Sequence, residues 1–257
     1  MLDQALAPPT APDSRRMWIA GAWTDAADGE TITRLSPAHD VAVSVAPRGE
    51  AADAERAVAA ARGAFDDGRW SNLPGAARAG VLLEAARLIR ERCEKIARAD
   101  CLEAGKPISQ ARAEAMGGAA AFHYAAGQAQ ALHGDSFNNL GESMFGLVTR
   151  EPIGVVAVIT PWNFPFFILC ERVPFLLAAG CTAVVKPSEH TPSSTLLLAE
   201  ILADAGLPAG VLNVVTGYGP EVGAPLVDHP DVDMASFTGS TEVGRRTLEA
   251  SSSTLKR

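Results

Sequence analysis

Two glycine-rich turns carry residue types that can bind phosphate groups. Gly217-Tyr-Gly-Pro-Glu-Val-Gly223 and Gly239-Ser-Thr-Glu-Val-Gly244 each follow an apolar run and precede a predicted helix. Glycine lets the backbone approach a phosphate, and the N–H groups at a helix start attract its charge. Neither turn is the dinucleotide fingerprint G-x-G-x-x-G, and the second has Arg245-Arg246 where a P-loop needs lysine and a hydroxyl residue. A plain strand-to-helix turn therefore remains an alternative for both.

Three polar side chains lie near two other predicted strand ends. Glu189 follows Lys186 by three residues, and an acidic residue past a strand can accept hydrogen bonds from the ribose hydroxyls of a nicotinamide cofactor. Such a carboxylate also repels a 2′-phosphate, which favours NAD over NADP. Asn163 carries an amide that can donate to a developing oxyanion. The alternatives are a solvated ion pair at a helix start, and a turn or cap asparagine before Pro165.

The cysteines and histidines do not have metal-ligand spacing. The five histidines are scattered singly, no Cys-x-x-Cys pair occurs, and we expect no structural metal. Each cysteine falls in an apolar-periodic segment, where a free thiol is usually a small buried hydrophobe. The four are Cys93, Cys101, Cys170 and Cys181.

Length, charge and patterning limit the classes of protein. With 257 residues, the chain is expected to form one large domain, or one domain with extensions. A formal net charge of −8 without a basic cluster argues against a nucleic-acid partner. Charged residues and prolines interrupt the longest apolar stretch, residues 164–185, so no transmembrane helix is expected. The N-terminus lacks the pattern of a secretory signal, and we expect a cytoplasmic protein.

The second half alternates between strands and helices. Apolar, strand-like runs cover residues 155–159, 182–186, 212–215 and 232–237, and each precedes a helical pattern, at 166–179, 193–205, 220–227 and 241–250. Because parallel strands need crossover connections, this alternation predicts an α/β fold with a parallel sheet and helices on both faces. Ligands of such sheets bind beyond the carboxyl ends of the strands, where the polar and glycine-rich segments lie.

The first half is mostly helical. Residues 1–16 are rich in proline and alanine and are expected to be a disordered tail. A short hairpin over residues 17–24 and a strand over 40–46 come next. Helical periodicity covers residues 51–65, 76–104 and 108–132. Residues 133–150 read as a strand pair with a turn near Asn138-Asn139 or Gly141.

In order and spacing, these segments resemble the aldehyde dehydrogenase superfamily. The resemblance rests on six motifs and covers most of the chain after residue 16. The motifs are Gly105-Lys-Pro107, Glu151-Pro-Ile-Gly154, Thr160-Pro-Trp-Asn-Phe-Pro165, Lys186-Pro-Ser-Glu189, Gly210-Val-Leu-Asn-Val-Val-Thr-Gly217 and Phe237-Thr-Gly-Ser-Thr-Glu-Val-Gly244. Each motif is ordinary alone, but their combined order is specific. It implies a Rossmann-like domain that binds NAD, with NADP less favoured.

The resemblance also implies roles for individual residues. Asn163 matches the asparagine of the oxyanion hole, and Lys186 with Glu189 matches the pair that holds the adenosine ribose. Other matching positions line the cofactor cleft, the adenine and ribose side, or the pyrophosphate. They are Ile159, Thr160, Trp162, Gly219, Gly223, Phe237, Gly239, Ser240 and Val243.

The family's chemistry needs two groups that this chain does not match. A cysteine attacks the aldehyde to form a thiohemiacetal, and a glutamate activates the water that releases the acid. In the family both follow the last motif present here, so the catalytic domain is expected to be absent. The expected regions are a tail (1–16), the start of the cofactor domain (17–132), part of an oligomerisation hairpin (133–150) and incomplete NAD-binding units (151–257).

Two functional classes remain open from the sequence. The chain is either the N-terminal part of an aldehyde dehydrogenase or a non-catalytic module that binds a nucleotide or a partner. The resemblance implies a small aldehyde as substrate, and a dimer or tetramer or a complementary C-terminal half as partner. It does not name the aldehyde. The isolated chain is expected to expose an apolar face and an unpaired strand edge, and therefore to be poorly soluble or to need a partner.

Overall fold

The computed structural model describes residues 6–257. Its first five strands are short: β1 (Asp13–Ser14), β2 (Met17–Ile19), β3 (Ala22–Thr24), β4 (Thr31–Leu35) and β5 (Ala42–Pro47). Strands β2 and β3 form the hairpin that the sequence predicts, whereas β4, which pairs antiparallel with β5, was not predicted.

The N-terminal tail differs from the sequence prediction. Residues 1–5 of the expected disordered segment lie outside the described residues. Strand β1, however, pairs in parallel with β5, and the Arg15 N–H donates to the carbonyl oxygen of Val45 over 2.8 Å. The expected tail therefore needs correction over these residues, because the edge of β5 supplies backbone partners that local composition does not reveal.

Four helices follow: α1 (Ala51–Asp66), α2 (Gly75–Glu91), α3 (Cys93–Ala104) and α4 (Ile108–Ala131). The single helix predicted over residues 76–104 is wrong, since Arg92 (φ −96°, ψ 14°) separates α2 from α3. The Arg92 side chain pairs with Glu200 and Asp204, a long-range contact that helical periodicity cannot show. Helix α3 ends at Gly105, whose φ of +71° favours glycine.

A separate two-stranded hairpin comes after α4. It consists of β6 (Asp135–Phe137) and β7 (Gly146–Val148), which pair antiparallel. Gly141 has a φ of +117° and its carbonyl oxygen accepts from the Met144 N–H, so the turn includes one of the two predicted positions. Large apolar side chains of this hairpin are exposed: Phe137, Leu140, Met144, Phe145, Leu147 and Val148.

The remaining elements alternate as the sequence predicts. They are β8 (Val155–Ile159), α5 (Pro165–Cys170), α6 (Val173–Ala179), β9 (Thr182–Lys186), α7 (Ser193–Asp204), β10 (Leu212–Val214), a π-helical turn (Gly219–Gly223), α8 (Ala224–Asp228), β11 (Met234–Phe237) and α9 (Thr241–Ser252). The helix predicted over 166–179 is divided between α5 and α6. Pro174 sits in the first turn of α6, where its missing N–H costs no hydrogen bond.

The main sheet has the strand order β11-β8-β9-β10-β2-β3. Strands β11, β8, β9 and β10 are parallel, and the hairpin of β2 and β3 adds an antiparallel edge. At the opposite edge, backbone hydrogen bonds join Arg257 to Asp233 and Ala235. The α/β class and the parallel sheet are confirmed.

Helices cover both faces of this sheet. Along β8, Val156 and Val158 pack with the cluster formed by α2, α4 and α5–α7, whereas Val155 and Ala157 pack with α1 and α8. This alternation follows from the two-residue period of a strand and explains the uninterrupted apolar run. Among residues 6–257, none of the helices combines the length and apolar character needed to cross a bilayer.

Candidate functional site

The register of the sheet aligns three strand ends in one row. Ile159 lies opposite Lys186 on one side and Phe237 on the other. The next backbone N–H groups continue the row, since Thr160 donates to the carbonyl oxygen of Lys186 and Thr238 to that of Ile159, over 3.2 and 3.0 Å. The residues predicted to form a site therefore leave the sheet at the same edge, as expected of parallel strands.

Lys186 and Glu189 form an ion pair at this edge. The Lys186 Nζ lies 3.3 Å from the Glu189 Oε2. Burial lowers the pKa of Lys186, and the Glu189 carboxylate partly offsets that effect. Burial alone would raise the pKa of Glu189, but a backbone hydrogen bond and the Lys186 ammonium hold it below its usual value. Glu189 is therefore ionised at neutral pH, with part of its side chain (26%) still exposed.

The π-helical turn after β10 brings Gly223 to the same pair. A β-carbon on Gly223 would lie 3.7 Å from the Ile159 Cδ1 and 3.8 Å from the Lys186 Cδ, whereas Gly219 faces open space. Gly217, two residues before this turn, has a φ of +145°, and a β-carbon there would lie 2.6 Å from the carbonyl oxygen of Gly49. The turn therefore places Gly223, which has no side chain, beside Ile159 and Lys186.

The second glycine-rich turn leads from β11 into α9. The Ser240 Oγ accepts a hydrogen bond from the Val243 N–H over 3.3 Å and caps the helix. The Phe237 ring covers Gly239 so closely that a β-carbon there would lie 2.5 Å from its Cζ. A larger residue at this position would therefore force the Phe237 ring to move. Gly239, Ser240 and Val243 are exposed at the start of α9, where the first-turn N–H groups lack partners within the helix.

The loop between β8 and α5 carries the remaining predicted residues. Thr160 is buried, and no described residue forms a hydrogen bond with its hydroxyl. Trp162 and Asn163 are exposed, so the Asn163 amide is accessible for a ligand. The loop ends where Pro165 begins α5.

Sequence reasoning missed a group of buried charges behind this loop. Asp100, Glu103, Lys106 and Glu114, from α3, α4 and the turn between them, are each at most 9% exposed. A signal was present, because Asp100 and Glu103 continue at helical spacing the apolar stripe that contains Ile96.

The cysteines differ in burial. Cys170 and Cys181 are buried, whereas Cys93 and Cys101 are partly exposed, so the predicted burial holds for only two of them. Burial raises the pKa of the Cys170 thiol well above its usual value, which makes it a poor nucleophile. No group of three or more potential metal ligands occurs among residues 6–257.

Comparison with known proteins agrees with these observations. The chain is 43% identical to aminoaldehyde dehydrogenase 2 of Zea mays and 39% identical to an NADP/NAD-dependent aldehyde dehydrogenase of Escherichia coli. The alignments cover 98% and 94% of this chain, but only 51% and 49% of those relatives. The chain therefore spans about half the length of the curated relatives it matches.

A solved structure matches over the same region. The crystal structure of an NAD-dependent aldehyde dehydrogenase from Sinorhizobium meliloti superposes with a TM-score of 0.95 at 47% identity, covering 98% of this chain and 52% of that one. The sequence profile of the aldehyde dehydrogenase family matches residues 23–257. Together with the arrangement of the strand ends, these matches show that the chain belongs to the aldehyde dehydrogenase family.

Proposed function

We propose that this chain supplies the cofactor-binding half of an NAD-dependent aldehyde dehydrogenase, which oxidises an aldehyde to a carboxylic acid. The main support for this proposal is the ion pair of Lys186 and Glu189 at the aligned strand ends, next to Gly223. An ionised carboxylate with a glycine nearby suits a ribose, whose hydroxyls donate to the carboxylate. A cofactor held there would supply the acceptor for a hydride from the substrate carbon.

The residues at the edge of the sheet fit the parts of such a cofactor. Glu189 would accept from the adenosine ribose, Lys186 would hold that carboxylate in place, and Gly219 and Gly223 would leave room for the adenine and ribose. The unpaired Thr160 hydroxyl supplies a buried polar atom in the same row. Ile159 and Trp162 would line the remainder of the cleft.

The start of α9 would bind the pyrophosphate. Gly239 and Ser240 precede the helix, and its first N–H groups carry the positive end of the helix dipole. Phe237 and Val243 would be apolar neighbours of the cofactor. The contact with the Phe237 ring already accounts for a glycine at position 239, so this assignment rests on Ser240 and the helix start.

Asn163 would stabilise the oxyanion that forms when a thiolate attacks the aldehyde carbonyl. Its amide is exposed in the loop after β8, where it can donate. None of the four cysteines is suited as the nucleophile: Cys170 and Cys181 are buried, and the pKa values of Cys93 and Cys101 are also raised by burial. We infer that the attacking cysteine and the glutamate that activates water lie outside residues 1–257.

The Glu189 carboxylate favours NAD over NADP. Its pKa is held low, so it is charged when the cofactor binds and repels a 2′-phosphate at the adenosine ribose. The distance to the Lys186 ammonium, 3.3 Å, leaves the second carboxylate oxygen available to the hydroxyls. The His190 Nε2 lies 3.8 Å from that second oxygen.

The assembly and the cell compartment are part of the same proposal. The exposed apolar hairpin of β6 and β7 would pair with another subunit, giving a dimer or tetramer. The four cysteines are unpaired thiols, in keeping with a reducing compartment such as the cytoplasm. The substrate class is a small aldehyde.

Purification of the protein from its own cells, followed by intact-mass measurement and an assay of NADH formation, tests the proposal. Aliphatic, aromatic and amino aldehydes are supplied in turn. We expect aldehyde-dependent NADH formation by a species that contains this chain together with a reactive cysteine, in a longer chain or a partner. NAD binding by a 26.8 kDa species without turnover would instead support the non-catalytic alternative.

A further inference from the structure

Two of the buried charges behind the strand-end loop contact residues on either side of Pro165. Lys106 is 9% exposed and Asp100 is 1% exposed. Burying a charge is unfavourable unless other groups compensate for it, so contacts made by such groups hold their partners in defined places. Asp100 lies in α3 and Lys106 in the turn between α3 and α4, and both contact the segment that follows Asn163.

Lys106 holds Phe164. Its Nζ forms an ion pair with the Glu114 Oε2, and Gln110 donates to the other Glu114 oxygen over 2.8 Å. The same Nζ lies 4.9 Å from the centre of the Phe164 ring. A desolvated ammonium at this distance attracts the face of an aromatic ring. The residue directly after Asn163 therefore rests on a fixed cation.

Asp100 holds the start of α5. Its Oδ2 accepts a long hydrogen bond, 3.4 Å, from the N–H of Phe166 in the first turn of that helix. Phe164, at the N-cap position, provides no side-chain cap. A carboxylate from α3 thus takes the place that a local cap usually fills, where the helix dipole favours negative charge.

We propose that Lys106 and Asp100 are positioning residues for Asn163: by fixing Phe164 and the first turn of α5, they set the direction of the Asn163 amide. The catalytic consequence rests on the proposed role of Asn163 as oxyanion donor. The positioning itself does not, and it can be measured without turnover. A purely structural role for the Lys106–Glu114 pair is the competing explanation.

Trp162 reports on the loop directly, because it precedes Asn163 and is exposed. The complete protein is labelled with 5-fluorotryptophan, and its ¹⁹F NMR signal from Trp162 is assigned by loss in Trp162→Phe. We expect Lys106→Met to shift or split this signal, Lys106→Arg to restore it, and Lys95→Met, at an exposed lysine of α3, to leave it unchanged. An unmoved Trp162 signal in a folded Lys106→Met protein would overturn the proposal.

Phe164→Leu is the second variant, for the case that Lys106→Met does not fold. It removes the ring but keeps the buried ion pair of Lys106 and Glu114. We expect the same change in the Trp162 signal with little loss of stability. A shift that appears only in variants that lose the ion pair would identify a structural role and would contradict the proposal.

Turnover supplies the test of mechanism. In the complete enzyme, we expect Lys106→Met to lower kcat by roughly 10- to 100-fold without changing the KM for NAD, since misplacing a catalytic group costs this much. In an Asn163→Ala background the same change should have no further effect on kcat. Equal losses in both backgrounds would overturn the coupling. A normal kcat for Asn163→Ala alone would reject the oxyanion role, while the Trp162 signal would still decide the positioning.

Discussion

Two carboxylates near the strand ends, Glu189 and Asp100, have pKa values that are shifted in opposite directions. Lys186 and Glu189 keep their charges because each compensates the other, and the carboxylate has a lowered pKa. Burial raises the pKa of Asp100 to about 7, and the Ser194 hydroxyl, the Lys106 ammonium and the Phe166 N–H offset this effect only in part. The two carboxylates therefore differ in charge at mildly acidic pH although both lie near the same edge of the sheet.

The raised pKa of Asp100 predicts a pH-dependent stability. The folded protein holds the proton more tightly than the unfolded chain, so stability falls as pH rises from about 4 to about 7. Asp100→Asn should remove this part of the decrease, up to roughly 4 kcal/mol for a shift of this size. Glu103, Lys106, Cys101 and Cys170 are its ionisable neighbours, and Glu103 adds a change in the same direction.

Urea denaturation of wild type, Asp100→Asn and the exposed control Glu91→Gln between pH 5 and 8 checks this prediction. The difference in unfolding free energy between wild type and Asp100→Asn should change with pH, and that for Glu91→Gln should not. A constant difference for Asp100→Asn would contradict the assignment.

The sequence predicted the positions of individual residues correctly where those residues end a predicted parallel strand. Lys186, Ile159 and Phe237 end predicted strands, and the parallel register aligns them without further information. For Asp100 the only local signal was its place on the apolar stripe of α3. Lys106 could not be distinguished from a solvated lysine, because its burial depends on Glu114 and the Phe164 ring, which lie elsewhere in the chain. The roles of the individual cofactor and oxyanion residues stay predictions.

The bounds of secondary-structure elements were predicted best where the local amino-acid pattern alone determines them. Strands β8 and β9 have the predicted bounds, since both are short runs rich in β-branched residues. The predicted helix over 76–104 divides at Arg92, whose side chain pairs with Glu200 and Asp204 of α7. Such a division depends on a neighbour more than 100 positions away, which local periodicity cannot include.

The hairpin of β6 and β7 gives a prediction at this scale. If it joins subunits, Leu147→Asp should lower the oligomeric state of the complete protein, because Leu147 is 68% exposed and a buried carboxylate at a contact is unfavourable. Leu83→Asp, at an exposed leucine of α2, is the matched control. Light scattering after size-exclusion chromatography measures the mass; an unchanged mass for Leu147→Asp would rule out this contact.

On one side of the molecule, formed by β11 and α9, apolar side chains are incompletely buried. Strands β8, β9 and β10 are almost fully buried, whereas every residue of β11 is only partly buried. Beyond it, α9 and the residues after it expose Val243, Leu248 and Leu255. The apolar core thus lies around the central strands, and the side formed by β11 and α9 has apolar surface that favours further contacts.

This surface predicts how the isolated 257-residue chain behaves. Produced alone, it should associate or precipitate at micromolar concentration, because apolar side chains near an edge strand promote self-pairing. Light scattering and thermal melting monitored by circular dichroism provide the measurement. A monodisperse monomer with a single cooperative melting transition would contradict the expectation.

The central claim, that the strand ends form an NAD site with Glu189 at the ribose, is tested most directly by calorimetric titration of the complete protein with NAD and with NADP. For Glu189→Gln we predict an affinity for NAD roughly 10-fold below wild type, the cost of losing hydrogen bonds to a charged group, and an unchanged or improved affinity for NADP. Glu91→Gln should match wild type for both cofactors. Equal losses for NAD and NADP in Glu189→Gln, or no loss for either, would contradict the assignment.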